Sequence, residues 1–223
     1  MSTGSLSPRV FLLDWDGTVR DSIGTIVGCA RAALAVHGHD ADEATIRGTV
    51  GLALASSISQ WAPEGNEALW RAVEQTYREL WIDSWHARAE LFPGAADALT
   101  ELHGRGHWLA VATGKSRVGL ERDLTTLPPE VRSLFVATRT ADETQSKPSP
   151  AMVFELLDEL GARPEEALVV GDSRHDLEMA RNAGCGAVGV LGGAGDRTEL
   201  SRYGARTILP SLADLPRWLD GLG

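Results

Sequence analysis

Phe11-Leu12-Leu13-Asp14-Trp15-Asp16-Gly17-Thr18-Val19-Arg20-Asp21-Ser22 is the stretch on which the reading of this chain turns. The apolar run from Val10 to Leu13 reads as a short buried strand that ends in two carboxylates one residue apart. Strand geometry puts Asp14 and Asp16 on one side and Trp15 on the other. Gly17 lets the backbone leave the sheet at a turn. In an open α/β sheet, ligands bind at the carboxyl ends of strands. Two like charges held close repel, so the pair needs a cation, a shared proton or solvent.

Composition narrows the rest. A chain of 223 residues, 43% hydrophobic and 23% charged, fits one large globular domain or a core with a smaller insertion. Cys29 and Cys185 lie far apart and form no metal-ligand cluster or disulfide framework, which points to a reducing cytoplasm. Met1 to Pro8 is small and polar, unlike a signal peptide, and no apolar run approaches a membrane span. A formal charge of −10 argues against general nucleic-acid binding. An anionic substrate would need local help from lysine, backbone NH groups or a metal.

Outward from the first strand, residues 22–37 predict a helix capped by Ser22, with Ile23, Ile26, Val27, Ala30 and Leu34 as its apolar stripe. Two short helices over 42–47 and 52–61 follow, then a longer one over 67–85. Trp70, Val73, Tyr77, Leu80 and Trp81 recur there at helical spacing, which reads as packing rather than a binding surface. The block from Ser22 to Glu90 is expected to be all helix. After Phe92-Pro93-Gly94 the pattern alternates: helix 95–105, strand 108–112, helix 116–124, a short apolar run at 134–137, helix 150–160, strand 167–170, helix 177–183, strand 187–191, and a last strand at 207–209 before a terminal helix. Such alternation means a parallel sheet covered on both faces, a Rossmann-like α/β core. The first strand must join it, since an isolated strand leaves its backbone unpaired. Residues 1–20 and 91–223 are thus expected to form the core, and 21–90 an inserted helical cap.

Further strand ends carry polar residues. Thr113-Gly114-Lys115-Ser116 opens a helix, where a hydroxyl and free NH groups suit a phosphate, although Thr and Ser also cap helices for structural reasons. Lys147 precedes Pro148. Gly171-Asp172-Ser173-Arg174-His175-Asp176 ends another strand, so two strands ending in carboxylates make an oxygen-rich cavity that suits Mg²⁺. The alternative for this loop is structural, with Arg174 neutralising Asp172. Other patterns fail on context. A P-loop needs glycine where Leu109 stands; Gly184-Cys185-Gly186-Ala187-Val188-Gly189 follows a helix and leads into a strand, the reverse of a dinucleotide site; and Ser173, His175 and Asp176 crowd one loop, unlike a triad. His37 and His39 read as capping or exposed.

Taken together, Asp14-x-Asp16, Thr113, Lys147 and Gly171-Asp172-Ser173-x-x-Asp176 resemble the four ordered motifs of the haloacid dehalogenase superfamily of hydrolases, in its helical-cap subclass. Phe92-Pro93-Gly94, Thr140-Ala141-Asp142 and Ser146-Lys147-Pro148 resemble the phosphoglycolate phosphatase branch. Trp15 is bulkier than the usual occupant, and Arg20 stands where an apolar residue is common. The resemblance implies a Mg²⁺-dependent phosphatase for a small phosphorylated metabolite, monomeric or homodimeric. Asp14 would be the nucleophile and Asp16 the acid–base, its pKa raised by neighbouring carboxylates or burial. Thr113, the Gly114 NH and Lys147 would hold the phosphoryl group. Asp14, the Asp16 carbonyl and Asp172 would hold Mg²⁺, with Asp176 in its water shell or paired with Lys147. Cap residues near 47–52 would select the substrate, and hinges near 19–21 and 91–93 would let the cap close. A phosphoglucomutase-type transfer, a dehalogenase and a non-catalytic binding protein are the rival readings. The paired acids speak against the dehalogenase, and the intact motif acids against the binder.

Overall fold

The computed structural model describes residues 8–221, so the signal-peptide expectation for the first residues and the outermost ends of the predicted core lie outside the described residues. Strand β1 (Val10–Leu13) leaves the sheet through a tight turn and leads into β2 (Arg20–Asp21). Helices α1 (Ile23–Val36), α2 (Glu43–Arg47), α3 (Leu54–Trp61) and α4 (Glu67–Leu80) follow. A π turn (Trp81–Trp85) and a 3₁₀ turn (His86–Arg88) then lead to β3 (Glu90–Leu91). The remainder alternates: α5 (Ala95–Gly104), β4 (Trp108–Thr113), α6 (Arg117–Leu124), α7 (Pro129–Arg132), β5 (Phe135–Thr140), α8 (Ala151–Leu160), β6 (Ala167–Gly171), α9 (Arg174–Ala183), β7 (Gly186–Val190), α10 (Arg197–Arg202), β8 (Thr207–Leu209) and α11 (Leu215–Asp220).

Six strands form one parallel sheet in the order β5-β4-β1-β6-β7-β8. The first strand is therefore central, with Leu13 opposite Val111 on one side and Val170 on the other. Its side chains alternate between two cores, as a strand covered on both faces requires. Phe11, Leu13 and Trp15 join the cluster containing Leu99, Leu102 and Leu215, while Val10 and Leu12 join that of Met152, Leu156 and Leu177. All four β1 side chains are fully buried, each worth about 1.5–3 kcal/mol for a large aliphatic or aromatic group. Chain order runs from β1 outward to β4 and β5, then crosses to β6 on the other side. The switch point lies where β1 meets β6, which is where such sheets bind ligands.

The helical block has its own core, built on Ile23, Ile26, Val27, Ala30 and Leu34 of α1 against Ile58, Trp61, Val73, Tyr77 and Trp81. Four details differ from the sequence reading. Ser22 does not cap α1; its hydroxyl donates instead to Asp16 Oδ1 at 2.7 Å. The block is not wholly helical, because Glu90–Leu91 pairs antiparallel with Arg20–Asp21, tying its two ends together. The α-helix expected over 67–85 stops at Leu80 and widens into the π turn. The run at 134–137 is the start of an edge strand reaching Thr140, whose polar second half hid it from an apolar search.

No helix among the described residues is long and apolar enough to cross a membrane. The block docks on the sheet's carboxyl edge through loop 48–53. Ala53 N donates to Ser146 Oγ at 3.0 Å, and the Gly51 and Leu52 carbonyls lie over Gly114. A Cβ at Gly114 would stand 2.5 Å from Leu52 O and closer still to Gly51 O. Gly114→Ala is therefore expected to push the loop off the core and to cost about 1–3 kcal/mol of stability as an overpacking change. Hydrogen exchange should rise in residues 48–53 while the sheet stays protected; unchanged exchange in that loop would contradict the docking.

Candidate active site

Asp14 extends β1, Thr113 ends β4 and Asp172 follows β6, so adjacent strands deliver their polar residues to one edge. Between Asp14 and Thr18 the chain turns tightly, with Val19 N and Arg20 N both donating to Trp15 O. Gly17 sits at φ +88°, and a Cβ there would press on Asp172 at 2.5 Å, so glycine is required on both counts. The turn brings the Thr18 hydroxyl to donate to Asp172 Oδ1 at 3.2 Å, while Ala194 N donates to its Oδ2 at 2.6 Å.

Asp14, Asp172 and Asp176 converge within 4.8 Å of one another, all buried. One buried ammonium, Lys147 Nζ, is shared between Asp14 and Asp176, the second at 2.6 Å. Asp176 lies in the first turn of α9, which starts three residues earlier than expected. Its Oδ2 accepts from Ser173 N at 3.1 Å and Ser173 Oγ at 2.6 Å. Arg174 does not neutralise Asp172; it reaches outward to Glu199 at 3.9 Å.

Three carboxylates sharing one cation are electrostatically unfinished. Burial pushes the Asp14 carboxyl well above its usual range; Lys147 opposes this, and Asp176 and Asp172 add to it. Burial, reinforced by Asp176, lifts Asp172 to about 6. Burial alone would lower Lys147, but Asp14 and Asp176 outweigh it and hold the ammonium firmly charged. Asp14 Oδ2 is buried without a hydrogen-bond partner. An orphaned carboxylate oxygen among hard oxygen donors fits a divalent cation, which would supply the missing partner and charge.

Asp16 stands apart from this cluster. Its partners are the Ser22 hydroxyl and Lys115 Nζ, 3.1 Å from Oδ2. Lys115 also lies 3.3 Å from Asp123 and 4.0 Å over the Trp81 ring. Asp123 accepts from Trp15 Nε1 at 3.0 Å and faces Arg20 Nη1 at 3.3 Å. Arg20 in turn donates to the carbonyls of His86 and Ala89 at the end of the helical block. The two residues that look out of place in the opening motif, Trp15 and Arg20, therefore share one buried acid. Sequence reasoning missed Lys115 and Asp123. The only hint was the oddity of Trp15 and Arg20, which demand a polar partner that spacing does not name.

The predicted residues Asp14, Asp16, Thr113 and Gly114, together with Lys115, line one cavity of about 380 Å³ between sheet edge and helical block. Lys147, Asp172 and Asp176 do not line it but are grouped with Asp14, which does. Thr113 Oγ1 accepts from Lys115 N at 3.2 Å, and Ser116 caps α6 by accepting from Gly119 N. His37 is held by Thr76 Oγ1 at 2.9 Å, consistent with a structural role, and both cysteines are free.

A fold with a parallel sheet in this order and these acidic, basic and hydroxyl groups at its carboxyl edge defines a class, and sequence comparison agrees. The haloacid dehalogenase-like hydrolase family matches residues 11–190, and the chain belongs to that family. Within it the chain is a phosphatase-type hydrolase, similar over nearly its whole length to the phosphoglycolate phosphatase branch. It is 31% identical to "Probable phosphatase IndB" of Dickeya dadantii (strain 3937), over 92% of this chain and 90% of that protein. It is 30% identical to a phosphoglycolate phosphatase of Synechococcus elongatus, over 93% of this chain and 95% of the relative. Among solved structures, one described as a haloacid dehalogenase-like hydrolase from Bacteroides fragilis superposes with a TM-score of 0.87 at 29% identity, covering 94% of this chain and all of the other.

The Asp123 carboxylate is fully buried between two cations. Asp123→Ala leaves Arg20 and Lys115 buried without it and is expected to destabilise the fold by about 3–5 kcal/mol. Urea unfolding measures this; a loss under about 1 kcal/mol would mean that the network relaxes freely into solvent.

Proposed function

We propose that this chain is a Mg²⁺-dependent phosphatase that hydrolyses a phosphate monoester through an aspartyl-phosphate on Asp14. The observation that carries the reading is the buried Asp14 carboxylate, braced by Lys147 on one oxygen and unpartnered on the other. Lys147 fixes the orientation that a nucleophile needs, and Asp14 lines the cavity in which a phosphoryl group would sit.

Asp14, the Asp16 carbonyl and Asp172 would hold Mg²⁺, while Asp176 serves through its pairing with Lys147. Bound there, Mg²⁺ supplies charge that keeps Asp14 ionised and offsets the phosphoryl oxygens. Asp14 attacks phosphorus, the ester P–O bond breaks, and Asp16 gives its proton to the departing alkoxide. Water then attacks the phosphorus, Asp16 takes its proton, and the bond to Asp14 breaks to release phosphate. Thr113 and the Gly114 NH hold phosphoryl oxygens in place, and Lys147 balances charge on nucleophile and phosphoryl group alike. Residues 21–90 act as a cap over the cavity, on connectors made of β2 and β3, and its closure excludes bulk water during transfer of the phosphoryl group to Asp14. Ser22 Oγ and Lys115, both bonded to Asp16, orient the acid–base.

Phosphate release from p-nitrophenyl phosphate, with and without EDTA, tests the reading. Turnover should require Mg²⁺; metal-independent hydrolysis, or none at all, would remove it. Binding should also show in stability, since saturation at a hundredfold over Kd is worth about 2.7 kcal/mol. Mg²⁺ should therefore raise the Tm of the native chain, and Asp172→Asn should abolish that rise. An equal rise in the variant would take Asp172 out of the site.

The two motif aspartates should fail differently. Asp14→Asn should lose turnover by about 10⁴-fold or more and form no phosphoenzyme, as expected for removal of a covalent nucleophile. Asp16→Asn should still be phosphorylated by an activated aryl ester, which needs little protonation, and then stall without its base. Rapid quench followed by mass mapping distinguishes them: phosphate on Asp16, or on no aspartate in the wild type, contradicts the mechanism.

A further inference from the structure

The cavity has two unlike halves. Its floor holds Asp14, Asp16, Thr113 and Lys115, the groups suited to a phosphoryl transfer. Its other wall, supplied by the helical block, is mainly apolar, with Ile26, Val50, Leu52, Leu54 and Ile82; the Trp61, Tyr77 and Trp81 rings reach it only through small exposed areas, at 6%, 9% and 3% exposure. Trp61 and Tyr77 lie tilted with ring centroids 6.2 Å apart, and Tyr77 stacks on Trp81 at 5.9 Å with an interplanar angle of 9°. The aromatic stripe that reads in the sequence as packing forms the core of the block and reaches the cavity only at its edge. The polar end of Trp61 is already occupied, since its Nε1 donates to Thr49 Oγ1 at 2.8 Å. Burial holds the Tyr77 hydroxyl protonated, so that ring brings no charge.

Charge on the wall settles what the leaving group is not. The lining contains two cations, Lys115 and Arg78. Lys115 is engaged by Asp16 and Asp123, and Arg78 by Glu74 at 2.7 Å. Glu74 and Asp142 also line the cavity and repel anions. A second negative group on the substrate, such as the carboxylate of phosphoglycolate, finds no unengaged cation among these lining residues. It would lose its hydration for an apolar or acidic surface. A two-carbon leaving group would also leave most of about 380 Å³ unfilled, a volume within the range of about 300–1,000 Å³ for pockets that enclose larger ligands.

We propose that the preferred substrates are phosphate monoesters of apolar, ring-bearing alcohols, whose body seats against the apolar wall around Leu52, Leu54 and Ile82 while the phosphoryl group meets Asp14. This rests on the phosphatase reading and narrows it to a substrate class different from that in the names of the phosphoglycolate phosphatase relatives. Apolar contact along such a wall removes both surfaces from water, and recognition then scales with buried area rather than with charge pairing.

Three alkyl esters separate the possibilities: ethyl phosphate, 2-phenylethyl phosphate and phosphoglycolate, each assayed with the full chain and Mg²⁺ by release of inorganic phosphate. Their leaving groups are all alkoxides, so a preference reports on the wall rather than on leaving-group activation. The expected result is a kcat/KM for 2-phenylethyl phosphate about 10–100-fold above both others, expressed mainly in KM, as a pocket reading several methylenes allows. Leu54→Ser places a hydroxyl on the wall at a half-buried position and should shrink the phenylethyl-to-ethyl ratio at least about threefold, since each lost apolar contact weakens only the ring-bearing ester. Equal kcat/KM values for the three, or preference for phosphoglycolate, would overturn the inference while leaving the phosphatase intact. Absence of turnover even with p-nitrophenyl phosphate would instead overturn the phosphatase reading and this inference with it.

Discussion

Everything at the carboxyl edge depends on burying three carboxylates around one lysine. Asp14, Asp172 and Asp176 could not be held together against their repulsion without Lys147 between two of them. The sheet makes the arrangement possible by placing β1 between β4 and β6, so that chain ends converge on one point. The cost of desolvating those charges is offset by hydrogen bonds from Ser173, Thr18 and Ala194 to their remaining oxygens. What is left over is a single unpartnered oxygen on Asp14.

A second buried network governs the other aspartate. Asp16, Lys115, Asp123 and Arg20 run from the cavity floor to the His86 and Ala89 carbonyls at the end of the helical block. The Asp16 side chain is thereby linked, contact by contact, to the segment through which that block rejoins the core. Trp15 closes the network from the core side, so a residue on the hydrophobic face of the strand also carries a polar duty. Buried charge of this kind contributes little net stability but permits few alternative arrangements.

The helical block adds what the sheet lacks. Its own apolar cluster lets it keep its shape, and loop 48–53 seats it over Gly114. Between them the two parts enclose a space polar on one side and mainly apolar on the other. The polar side is set by motif residues, whereas the apolar side comes from the helical block. The two sides of the cavity thus come from different elements.

The alternation of strands and helices, the acid-ended first strand and the polar ends of the strands before Asp14, Thr113 and Asp172 were legible in the chain itself; that the first strand is central was not. Each legible feature is local: period-two burial, a glycine turn, a carboxylate after an apolar run. The family was legible for the same reason, since its motifs are short and ordered. Three further matters were decided only by folding. Ser22 looked like a helix cap and became a partner of Asp16, because the turn at Gly17 brings them together. Lys115 and Asp123, eight positions apart in sequence, entered the site through partners more than ninety residues distant. The stripe of Tyr77 and Trp81 read as packing, and periodicity could say no more, because a helix face buried against protein and one facing a cavity carry the same spacing. Which of the two it is depends on what stands opposite, and that is a property of the assembled fold.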